Sequence, residues 1–169
     1  SYRRFLQMYG DVVLGVPVHD FEHLLKAKRL MTGAQTDAEL DELTRLAVQH
    51  AAGRLAIVAG AGTSSTAATV ARVARLSQLG VEGLLVVTPA YVRPTQEGLY
   101  RHFEAVAAAS RVPLILYNVP SRTAVDLLPA TVARLAKLPR IVAIKEAVDS
   151  MERVRELVRL VPPGFTVLS

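Results

Sequence analysis

A lysine stands near the end of an apolar, β-branched run, "IVAIKEA", as Lys145. Lysine is seldom buried unless it is paired or functional. Burial disfavours an ammonium, and the neutral amine is the form that attacks a ketone to give a Schiff base. The iminium is then an electron sink for a carbanion beside it. Such chemistry needs a proton shuttle and a carboxylate anchor. Tyr117, in "VPLILYNVP", suits the first role, and Arg122, just beyond that run, offers a two-pronged donor for the second. Thr88, Tyr91, Asn118 and Glu146 also fall at or just beyond the ends of such runs. The plainer alternative is a salt-bridged Lys145 with Tyr117 as an amphipathic core residue.

These residues need elements that bring them to one edge, and the sequence from residue 36 onward has the rhythm for it. Thr36 and Glu39 form a capping-box pattern, Leu40, Leu43 and Ala47 follow at helical spacing, and Gly53 stops the helix. "LAIVAGAG" reads as a strand. Val70, Val73 and Leu76 mark a helix ending at Gly80, "GLLVVTP" a strand, and Leu99, Phe103 and Val106 a helix. "VPLILYNVP" is a strand ended by Pro120. Pro129 opens a helix through Val132 and Leu135, "IVAIKEA" is the fourth strand, Asp149 or Ser150 caps a helix through Leu160, and "FTVLS" begins a fifth strand. Apolar strands about 30 residues apart, alternating with amphipathic helices, imply a parallel α/β sheet covered by helices. A doubly wound sheet and a (β/α) barrel both fit, and both place functional residues at the C-terminal strand ends.

The totals narrow the function classes. The chain has 169 residues, 51% hydrophobic and 21% charged, with a formal net charge of +5 and no cysteine. This is globular composition, without disulfide or thiolate chemistry, and it permits a cytoplasmic location. No run approaches a membrane span, and "SYRRFLQMYG" lacks a secretory core. Arg72, Arg75, Arg134, Lys137, Arg153, Arg155 and Arg159 read as solvated helix faces, so no nucleic-acid partner is expected. "HDFEH" at residues 19–23 matches a zinc-peptidase pattern, but it reads better as a surface helix start, and no metal is expected. "GAGTSS" at residues 60–65 lacks the third glycine of a dinucleotide loop and reads as a tight strand-to-helix turn.

Three separated segments, "VTPAYVRPTQEGLYRHF", "LILYNVPSRT" and "IVAIKEA", together resemble the dihydrodipicolinate synthase / N-acetylneuraminate lyase family of pyruvate-dependent aldolases. "YNVPSRT" points to the synthase branch. The resemblance runs from about Thr36 to the last residue. It implies a (β/α)8 TIM barrel, of which this chain would supply about strands 3 to 7, normally assembled as a tetramer of tight dimers. It further implies that Lys145 forms a Schiff base with pyruvate and that Tyr117 transfers protons beside it. Arg122 would bind a carboxylate of aspartate semialdehyde, and Tyr91 would reach across the tight dimer into the neighbouring site. The reaction would be the condensation that gives 4-hydroxy-tetrahydrodipicolinate in lysine biosynthesis, with no metal and no dissociable cofactor. Other outcomes of the same ancestry are an inactive barrel remnant or interaction subunit, and an aldolase for N-acetylneuraminate or a keto-deoxy sugar acid.

The chain also departs from the family pattern. Where the family carries a Gly-Thr-Thr-Gly-Glu loop, this chain reads "AKRLMTGAQ". The threonines of the proton relay and of the pyruvate carboxylate site have no counterpart there. Ala90 stands where many members have a second tyrosine. The expected organisation is a divergent segment over residues 1–35, for which one hypothesis is a disrupted, frameshifted or recombined reading frame, followed by an incomplete barrel over residues 36–169 that ends within its seventh strand.

Overall fold

A computed structural model describes residues 36–168 of the chain. The "HDFEH" pattern therefore lies outside the described residues. The elements alternate as α1 (Asp37–Ala51), β1 (Val58–Gly60), α2 (Thr66–Leu76), β2 (Gly83–Val87), α3 (Gln96–Ala109), β3 (Leu114–Asn118), α4 (Pro120–Thr123), α5 (Pro129–Leu135), β4 (Ile141–Glu146), α6 (Met151–Leu160) and β5 (Thr166–Leu168). The short helix α4, which carries Arg122, has no periodic pattern and is not anticipated from sequence.

Local chemistry sets the helix ends. Thr36 and Glu39 form a reciprocal capping box, at 3.3 and 3.1 Å, at the start of α1. Ser65, Thr95 and Ser150 cap α2, α3 and α6 by accepting a backbone N–H. At the end of α1 the chain turns through two left-handed residues, Ala52 and Gly53.

All five strands are parallel and lie in sequence order, β1-β2-β3-β4-β5. A doubly wound sheet reverses direction at a switch point, and this one does not. Right-handed crossovers between successive neighbours put every helix on the same side of the sheet. Burial shows which side. Leu84, Val86, Leu114, Leu116 and Ile144 have no exposed surface and pack with Val73, Leu76, Leu99, Phe103, Val106, Val132, Leu135 and Leu157 of the helices. The opposite, concave side carries the half-buried Val87, Ile115, Tyr117 and Lys145. The sheet is thus a consecutive arc of barrel wall, with the helices outside.

One irregularity matters later. The β3–β4 register shifts between Leu114 and Ile115: Leu114 pairs with Ile141, but Ile115 pairs with Ala143. Val142 is the extra residue and is 38% exposed, whereas Ile141 and Ile144 both join the helix-side core.

Gly62, in "GAGTSS", owes its identity to close approach and not to an unusual dihedral angle. A methyl group there would lie 2.6 Å from Val87 Cγ1 and 2.8 Å from the Val87 backbone nitrogen, and the backbone cannot move aside as a side chain would. Gly62→Ala is expected to cost about 2 kcal/mol, as overpacking does. A denaturation midpoint equal to that of the parent chain would contradict the clash.

Candidate active site

The C-terminal ends of β2, β3 and β4 bring most of the sequence-predicted residues to one edge. Val87, Tyr117, Lys145 and Leu168 form one row across the sheet, each the register partner of the next. In a parallel pair, register partners share a face, so Lys145 and Tyr117 project together on the concave side. The Lys145 Nζ lies 4.4 Å from the centroid of the Tyr117 ring, a cation–π distance. Lys145 is half-buried, not sealed within the sheet, and it pairs with no carboxylate among the described residues.

Among the described residues Lys145 makes no salt bridge, and the adjacent Glu146 points to the opposite face. It is 1% exposed and sits on the helix side of β4. Asn118 Nδ2 donates to both of its oxygens at 3.1 Å, the Val148 N–H donates at 3.0 Å, and the Arg153 guanidinium lies 3.9 Å away. These three groups are all donors, matched to the acceptor oxygens of Glu146. Asn118 also donates to Asp126 at 2.8 Å and accepts from the Leu127 N–H at 3.0 Å. Arg153 grips Asp126 through two bonds of 3.0 and 2.7 Å. Burial opposes the Asp126 charge, but the bonds from Arg153 and Asn118 outweigh it and hold the carboxyl below its usual range.

Arg153 therefore does not belong to a solvated helix face; its side chain is 16% exposed. Several of its companions are likewise committed. Arg72 and Arg75 pair with Asp37, Arg75 also pairs with Asp41, and Arg134 pairs with Glu97 while lying 4.1 Å over the Tyr100 ring. The charges opposite them lie on neighbouring elements, which helical periodicity does not register.

Arg122 and Tyr91 stand at the same edge but outside the Lys145–Tyr117 contact. Arg122 is exposed on α4, where its guanidinium makes no ion pair with the described residues. Tyr91 is 89% exposed and adopts a left-handed φ of 69°, an uncommon conformation for a bulky residue. The Tyr91 N–H donates to the Thr123 carbonyl at 3.4 Å, and the buried Thr88 hydroxyl donates to that of Thr123 at 3.2 Å. Thr123 thus joins the loop of Tyr91 to the helix of Arg122. Gln96 clamps the next segment: it donates to the Asp126 carbonyl and accepts from the Leu128 N–H and the Thr131 hydroxyl. The roles of Thr123, Gln96, Asp126 and Arg153 are missed by sequence reasoning, because each depends on a partner in another element.

Among the described residues, no cluster of three or more histidine, aspartate or glutamate side chains is placed to hold a metal ion, and no helix is long and apolar enough to cross a membrane. What the site offers is a half-buried primary amine over a phenol ring, with the exposed guanidinium of Arg122 nearby in the chain.

Comparison with known proteins gives a consistent result. A sequence model described as the dihydrodipicolinate synthetase family matches residues 33–169. The 4-hydroxy-tetrahydrodipicolinate synthase of Methylococcus capsulatus is 50% identical over 133 residues, covering 79% of this chain and 46% of the relative. That of Xanthomonas campestris is 53% identical over 136 residues, covering 80% and 45%. Among solved structures, the synthase of Methylacidiphilum fumariolicum SolV superposes with a TM-score of 0.78 at 44% identity, over 82% of this chain and 46% of that one. The enzyme of Acinetobacter baumannii, solved with pyruvate, gives 0.77 at 37% identity, over 83% and 49%. The chain spans about half the length of the curated relatives it matches. Its fold is a portion of the (β/α)8 barrel of these relatives.

Proposed function

The chain belongs to the dihydrodipicolinate synthetase family, and from that premise we propose that it carries the reactive-amine portion of a 4-hydroxy-tetrahydrodipicolinate synthase. The observation that carries this reading is the register pairing of Lys145 with Tyr117 on the concave strand-end edge, the amine 4.4 Å from the centroid of the ring. The neutral amine of Lys145 attacks the ketone carbon of pyruvate, and loss of water leaves an iminium. Loss of a methyl proton gives an enamine, whose carbon adds to the aldehyde of aspartate semialdehyde. Tyr117 serves as the proton carrier, its ring held beside the amine. The exposed guanidinium of Arg122, without an ion pair among the described residues, suits a carboxylate of the second substrate. The exposed, left-handed Tyr91 suits insertion into a neighbouring copy, consistent with a tight dimer within a tetramer. The reaction requires no metal or dissociable cofactor, and its place is the cytoplasm.

The test is incubation of the chain with pyruvate and borohydride, followed by peptide mass mapping. A reduced adduct on Lys145 is expected. A folded chain that gives none would defeat the reading. A coupled assay with aspartate semialdehyde then separates the synthase from aldolases for sugar acids.

A further inference from the structure

We propose that Asn118 and Glu146 are positioning residues for the Lys145 amine: their buried pair, on the helix side of β3 and β4, fixes the register that holds Lys145 against Tyr117 on the concave side. The proposal deepens the reading of Lys145 as the reactive amine and rests on it.

The need for such a device comes from the bulge. A one-residue slip between two strands turns every side chain to the other face. Here β3 and β4 already pair in two registers, one before and one after Leu114/Ile115, so the start of the ladder does not dictate its end. Beyond the bulge the residues opposite each other are apolar, Ile115 with Ala143 and Leu116 with Ile144, and such pairs tolerate sliding.

The last pair does not. Asn118 faces Glu146, and Glu146 is a buried carboxyl whose desolvation must be compensated. Only this register sets the Asn118 amide against both of its oxygens at 3.1 Å. Asn118 is itself held from the other side, by Asp126 at 2.8 Å and by the Leu127 N–H at 3.0 Å. Arg153 of α6 ties Asp126 down and approaches Glu146. β3, β4, α6 and the segment following Arg122 therefore meet in one polar network behind the amine. Asn118 and Glu146 lie across the sheet from Lys145, so they act through placement and not by touching substrate.

Ring-current shifts read this placement directly. The chain has four lysines, Lys26, Lys28, Lys137 and Lys145. Reductive methylation with 13C-formaldehyde labels them, and the Lys145 methyl signal is expected upfield, beneath the Tyr117 ring. Its disappearance in Lys145→Arg assigns it. In Glu146→Gln one of the two acceptors of the Asn118 amide becomes an N–H₂, donor against donor. The Lys145 signal should then lose most of its displacement, and pyruvate trapping should slow roughly 10- to 100-fold, as for a misplaced reacting group. A pair that merely stabilises the fold would lower the melting temperature and leave both unchanged. An unmoved signal in folded Glu146→Gln would overturn the proposal. If that variant does not fold, Asn118→Ser is read in the same way. A parent chain that forms no pyruvate adduct, beside a Glu146→Gln variant that still loses its shift, would remove the Schiff-base reading and support the positioning.

Discussion

Lys145→Arg should lose the borohydride-trapped pyruvate adduct while keeping the fold. Arginine preserves a cation that can rest over the Tyr117 ring, where Nζ now lies 4.4 Å from the centroid. It does not deprotonate and so supplies no neutral nucleophile. Trapping is therefore expected to fall by at least about 10³-fold, in line with removal of a covalent nucleophile. Tyr117→Phe separates the two roles of its partner. The ring remains to seat the amine, the hydroxyl is gone, and adduct formation should persist at a rate about 10²- to 10⁴-fold lower. Mass mapping decides between readings. An adduct that survives Lys145→Arg on Lys26, Lys28 or Lys137 would show that the chemistry lies elsewhere.

A second large effect is a loss of stability in mild acid that originates far from the site. His102, on α3, is 3% exposed, and its Nδ1 lies 2.9 Å from the Thr66 hydroxyl at the start of α2. Its Nε2 is buried with no hydrogen-bond partner among the described residues. A neutral ring that donates Nδ1–H to Thr66 leaves only a lone pair unmet at Nε2. Protonation would place an N–H there with nothing to accept it. Burial accordingly pushes His102 down from 6.5 to about 4.

The sign follows from linkage. The unfolded chain takes up a proton as pH falls through about 6.5, while the folded chain resists until about 4. The stability conferred by the neutral ring is complete above pH 6.5, declines as pH falls, and levels off below about 4. The difference corresponds to about 3 kcal/mol over that window. Denaturant titrations at pH 7, 6 and 5 should show the decline in the parent chain and a flatter dependence in His102→Gln. Both proteins carry the same carboxylates, Asp37, Glu97 and Asp126 among them, so their contribution is common to the two titrations and the difference between the slopes reports His102. Equal pH slopes in the two proteins would place the acid sensitivity in other groups.

Much of the fold was legible because its signals are local. Capping at Thr36 and Ser150, Pro129 in a first helical turn, the helical spacing of Leu99, Phe103 and Val106, and the apolar runs of β2, β3 and β4 each act within a few residues of chain. The order of Tyr91, Tyr117, Arg122 and Lys145 along those runs was enough to suggest an amine, a proton carrier and an anion anchor. α4 was not legible, since four residues carry no period.

By itself, then, the sequence determined the alternation of strands and helices, the strand ends that carry the candidate site, and the family. Tertiary structure decided which faces those residues share. Simple alternation puts Ile141, Ala143 and Lys145 on one face, but the bulge at Val142 turns Ile141 into the helix-side core and leaves Lys145 on the concave side. Strand order removed the doubly wound alternative. The partners of Glu146 and Arg153 appeared only when β3, β4 and α6 met. The reason is physical: helix caps and periodicity are short-range, whereas register, bulges and buried ion networks join residues far apart in sequence.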